Sequence, residues 1–67
     1  MNWFIGLPTH WVYVHYENGE ENNVANTDFL TEKEALEYKN MWDKPNNKIV
    51  KITLRDNDGN IVDWYKF

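Results

Sequence analysis

The sequence predicts an α+β domain of two layers, in the order ββαββ, with an antiparallel sheet carrying one helix packed on one face. Three observations carry this reading. "HWVYVHYENGEENNVA" alternates like strands around an Asn-Gly pair. "LTEKEALEYKNMW" has helical spacing behind a capping pair. "KIVKITLRDNDGNIVDWYKF" holds two β-rich runs around a glycine-containing turn. One helix suffices to cover one face of a small sheet.

The 67 residues are read as one domain, 1–67, in which residues 1–9 form a lead-in segment broken by Pro8. A chain this short buries only about 60% of its unfolded surface. It has no cysteine to staple it. Four Trp, four Tyr and three Phe supply apolar mass instead, each ring able to bury roughly 150–250 Å².

The first strand is expected at about His10–Glu17. Asn18-Gly19 suits the two positive-φ positions of a type I′ turn, which sets Val14 opposite Asn23, Tyr13 opposite Val24 and Val12 opposite Ala25. The second strand, about Glu20–Ala25, is polar and is expected short and at an edge. Thr31 is the predicted N-cap of the helix, with Glu34 completing a capping box and Leu30 and Ala35 a hydrophobic staple. Ala35, Tyr38 and Trp42 share one helical face, flanked by Leu36 and Met41. Asp43-Lys44-Pro45 stops the helix, because the residue before proline avoids helical geometry. In the second hairpin, Asp56-Asn57-Asp58-Gly59 reads as a type I turn with the glycine in a left-handed bulge position. That register sets Leu54 opposite Val62 and Ile52 opposite Trp64.

These registers put Val12, Val14, Val50, Ile52, Leu54, Val62 and Trp64 under the helix. They leave Trp11, Tyr13, Tyr65 and Phe67 on the opposite face, joined by Ile49 and Ile61. An antiparallel sheet can leave one face to water, but four large rings call for a cover. Either Trp3-Phe4-Ile5 folds back over them or a second chain does, a copy or another protein.

The net charge of −4 is uneven: residues 17–37 balance to −6 and residues 38–67 to +2. An acidic stretch of this kind is either a solvated face or a surface that meets a basic partner. Glu20, Glu21, Glu32 and Glu37 have no structural task evident in the sequence, so they join Trp11, Tyr13, Tyr65 and Phe67 as candidate partner-binding residues. Direct binding to DNA or RNA is disfavoured, since Lys and Arg are mixed with Asp. A single small nucleotide stacked on the rings, held at an oligomer interface, remains compatible with the composition.

Catalytic signatures are sparse. Cysteine and serine are absent, leaving threonine among the usual hydroxyl and thiol nucleophiles. His10 and His15 fall on opposite faces of a strand and share no ligand. Asp56, Asp58 and Asn60 lack the glycine position and distal glutamate of a calcium loop. No glycine-rich phosphate cradle is present. The expectation is a non-enzymatic protein with no metal and no cofactor. No run approaches a membrane span of roughly 18 apolar residues, and "MNWFIGLP" lacks the basic start of a signal peptide. A cytoplasmic setting is expected. The ten asparagines and many Lys, Ile and Tyr fit A/T-rich codons, as in a low-GC bacterium or its phage.

Over Trp11–Leu54, strand, turn, strand, the capped "TEKEALEY" helix and a further strand resemble small phage-encoded host-takeover proteins. The layout is similar to the RNA-polymerase inhibitor of T7-like phages, from which Arg55–Phe67 departs. The resemblance carries over no individual residue. It implies a compact protein that inhibits a host machine: a defence system, a CRISPR effector or the transcription apparatus. The expected action is steric and electrostatic, by a homodimer or larger assembly in the host cytoplasm. A nucleotide-sequestering oligomer and a structural phage protein without a dedicated site are the alternatives.

Overall fold

The structure, a computed structural model, describes residues 10–27 and 30–67. The expected α+β two-layer architecture is present. Strands β1 (His10–Tyr16), β2 (Glu21–Thr27), β3 (Ile49–Arg55) and β4 (Ile61–Lys66) form one antiparallel sheet in the order β2-β1-β3-β4. Helix α1 (Glu32–Trp42) packs on β3. The two hairpins therefore meet along β1 and β3, and β2 and β4 are the edges.

The helix begins as its sequence dictates. Thr31 is extended, and its Oγ1 accepts the Glu34 amide at 3.2 Å. Leu30 and Ala35 are both buried in the core, which is the contact a staple makes. At the other end Asp43 does more than stop the helix. Its carboxylate accepts from Lys39 Nζ at 2.7 Å and from the Ile49 amide at 2.6 Å, tying the last helical turn to the first residue of β3. Burial works against this carboxylate's charge. The Lys39 and Ile49 hydrogen bonds and the nearby ammonium groups outweigh it and hold the pKa below the usual value.

Both hairpins close with the same turn. The Tyr16 amide donates to Glu20 O, and the Gly19 amide to Tyr16 O. In the second, Asp56 N donates to Asn60 O and Gly59 N to Asp56 O. Gly19 and Gly59 have φ of +92° and +84°, while no other described residue has positive φ. The type I turn with a glycine bulge expected at residues 56–59 is thus correct. The type I′ turn expected at Asn18-Gly19 is not, since Asn18 would also need positive φ. Asn18 Oδ1 accepts the Glu20 amide instead.

Each ladder carries one bulge, and each leaves a valine unopposed. Val24 is the extra residue in β2, Val50 in β3 and Val62 in β4. A bulge shifts everything beyond it by one residue and so exchanges the faces. In the first hairpin Val12 pairs with Ala25 as expected, but Tyr13 pairs with Asn23 and Val14 with Asn22. In the second, Leu54 faces Asp63 and Ile52 faces Tyr65, rather than Val62 and Trp64. In the centre, Tyr16 pairs with Ile49. Ile49 is accordingly buried in the core, and Val50 is partly exposed. The core under the helix comprises Val12, Val14, Tyr16, Leu30, Ala35, Ile49, Ile52 and Leu54. Val24, Ala25, Tyr38 and Tyr65 pack around it.

Candidate functional site

The register divides the four rings expected on one face. Trp11 and Tyr13 lie on the face away from the helix. Tyr65 sits opposite Ile52 and hence on the helix-covered face. Its hydroxyl lies 2.5 Å from Leu30 O and 3.0 Å from Asp63 Oδ2. One proton serves two acceptors there, and burial together with the Asp63 carboxylate raises the phenol's pKa. Phe67 is on the helix side too, with Lys39 Nζ 5.6 Å from its ring centroid. Trp64, assigned to the core by its spacing, pairs with Thr53 and is 57% exposed on the open face. The covering lead-in, Trp3-Phe4-Ile5, lies outside the described residues.

The open face is a grid read from the register. One row holds Glu21, His15, Lys51 and Lys66; the next Asn23, Tyr13, Thr53 and Trp64; the third Asn26, Trp11, Arg55 and Ile61. Its middle is a polar network. Arg55 lies over the Tyr13 ring, 4.2 Å from the centroid, and reaches Glu21 Oε2 at 3.1 Å. Arg55 Nε is buried with no acceptor. The same Glu21 oxygen is 3.5 Å from His15 Nδ1, and His15 Nε2 is 2.8 Å from Thr53 Oγ1. Thr53 is the buried polar residue of the sheet, at 1% exposure. Burial, with Lys51 beside it, lowers the His15 pKa; the Glu21 carboxylate opposes and Arg55 adds to the lowering. Neutral His15 paired to Glu21 through Nδ1–H leaves Nε2 to accept from the Thr53 hydroxyl.

Glu21 therefore has a structural task that its sequence position did not reveal. The side chains of Glu20, Glu32 and Glu37 form no ion pair among the described residues, and all three are exposed. Glu20 stands at the first turn and Glu37 on the outer helix. Glu32 lines an open groove of about 700 Å³ between α1 and β4, with Lys33, Leu36, Trp64, Tyr65, Lys66 and Phe67. Leu36 and Phe67 are 49% and 43% exposed there.

The β4 edge is partly closed by its own side chain. Phe67 N donates to Val50 O, so by alternation the Trp64 amide points outward, away from β3. That amide donates to Asp63 Oδ1 at 2.8 Å. Among the described residues no group of three metal-ligating side chains is assembled, and no helix is long and apolar enough to cross a membrane.

What the fold defines is a class: a four-stranded antiparallel sheet with one helix on one face. No family model, no curated protein and no solved structure matches the chain.

Proposed function

We propose that this chain is a small interaction protein that blocks a partner protein through the groove between α1 and β4. The supporting observation is the apolar exposure of that groove: Leu36 and Phe67 stand open on its two sides, over Tyr65. Glu32 shares the groove with Lys33 and Lys66, and Glu37 stands on the outer helix; it is the chain's net charge of −4 that favours a partner with a basic surface. The rings and aliphatic groups act as anchors, and the carboxylates set the approach rate. The resemblance in layout to small phage-encoded host-takeover proteins supports a host machine as the partner and inhibition as the action.

The experiment is capture from host lysate with wild type, Phe67→Ala and Leu36→Ala in parallel, followed by binding kinetics with the captured protein. The expected result is one partner retained by wild type and lost by both variants. Glu32→Lys with Glu37→Lys should slow its association at low salt while leaving dissociation nearly unchanged. Light scattering on the isolated chain distinguishes a host protein from a second copy as occupant. Capture that survives both anchor variants overturns the assignment of the groove.

A further inference from the structure

The open face carries a second feature, which shares Trp64 and Lys66 with the lining of the helix-side groove. Lys51, Thr53, Ile61, Trp64 and Lys66 line a concavity of about 320 Å³. From these observations we propose that it is a binding site for a single free nucleotide, with the ring stacked on Trp64 and the phosphate held by Lys51 and Lys66.

The chemistry of the lining supports this occupant. Lys51 and Lys66 are direct cross-strand neighbours, and neither has an ion-pair partner among the described residues. No carboxylate lines the concavity. Two like charges side by side on a sheet repel each other, and an anion between them removes that repulsion. The indole of Trp64 offers a planar, solvent-facing surface of the kind on which nucleobases stack. The floor is Thr53. Its hydroxyl donates to His15 in the tautomer described above, which leaves oxygen lone pairs to accept from a ligand N–H or O–H. The volume is at the small end for ligand sites, which suits one nucleotide unit. The net charge of −4 disfavours a long strand, which needs many phosphate contacts.

The test is calorimetric titration of the full chain with adenosine 5′-monophosphate, adenosine, inorganic phosphate and an eight-nucleotide thymidylate strand, at two salt concentrations. The expected result is saturable binding of the monophosphate at up to millimolar concentration, weakened by salt. Adenosine and phosphate alone should each bind at least about tenfold more weakly. Trp64→Ala should weaken the monophosphate by roughly tenfold or more, and Lys66→Gln should weaken it and reduce the salt effect. Trp64 and Lys66 are exposed, so both variants should retain the wild-type circular dichroism spectrum. Leu36→Ala, in the other groove, should leave nucleotide affinity unchanged. The proposal is overturned by no saturable binding, by adenosine binding as well as its monophosphate, by indifference to Trp64→Ala, or by the strand binding more tightly than the mononucleotide.

Discussion

The two hairpins close with the same hydrogen-bonded turn, and each carries a valine bulge in its outer strand. They nevertheless present opposite edges to solvent. Along β2 the exposed residues are Glu21, Asn22, Asn23 and Asn26. Along β4 they include Ile61, Val62 and Trp64, each about half exposed. The backbone design is shared, so the difference lies in side chains alone. The polar edge is what a strand needs to remain solitary. The apolar one exceeds what folding requires, and both proposed sites touch that hairpin.

The comparison is broken most severely at what the hairpins share. Ile52 is fully buried where β3 meets β1, opposite Val14. Ile52→Ala should cost about 2–5 kcal/mol, a large part of the roughly 5–15 kcal/mol that holds a domain together. Urea unfolding measures it. By contrast Val62→Thr, at the exposed bulge of β4, should stay within about 0.5 kcal/mol. A loss at Val62 comparable to that at Ile52 would mean the outer strand is part of the core.

The turns give a finer comparison. A Cβ added at Gly19 or Gly59 meets no atom within 4 Å, so alanine there pays only for the left-handed backbone, about 1–2 kcal/mol. Gly19→Ala and Gly59→Ala should therefore lower stability by equal amounts. Unequal losses in matched thermal melts would show that the turns differ in a way their hydrogen bonds do not.

The smallest effect separates the faces by pH. The His15 pKa is depressed in the folded chain from an ordinary 6.5. Its contribution to stability is complete above that value and is lost as pH falls from it toward the folded pKa, because the unfolded chain takes up the proton first. Denaturation midpoints should decline through this mildly acidic window in wild type and decline less in His15→Gln. A parallel decline in both would exclude the open-face network as its source.

The same contrast explains what was legible in the sequence. The helix was readable because Thr31, Glu34 and Leu30 act within a few residues of one another. The turn at 56–59 was readable for the same reason. Asn18-Gly19 fits two turn types equally, since both place glycine at positive φ and only one asks it of asparagine. The bulges were not readable. An unopposed Val24, Val50 or Val62 leaves apolar alternation nearly intact, and its register depends on a partner strand that local sequence does not name. Each slip then reassigned faces. Tyr65 and Phe67 went to the helix side, Ile49 entered the core, and Trp64 came out of it. The partner-binding candidates suffered accordingly. The exposure of Glu20, Glu32 and Glu37 followed from local pattern, whereas the role of Glu21 needed Arg55, thirty-four positions away.

Asp63 gives the apolar edge a property its composition conceals. An outward amide on an edge strand is where another chain would add itself and continue the sheet, and repetition of that step makes a fibre. With the Trp64 amide already donated to its neighbour's carboxylate, an incoming strand must displace a charged acceptor before it gains its first hydrogen bond there. One carboxylate thus occupies a donor that a strand added at this edge would need, beside the exposed Ile61, Val62 and Trp64. Asp63→Ala, which also releases the Tyr65 hydroxyl and the Trp64 amide beside the two proposed sites, should raise the chain's tendency to self-associate, read by light scattering at increasing concentration.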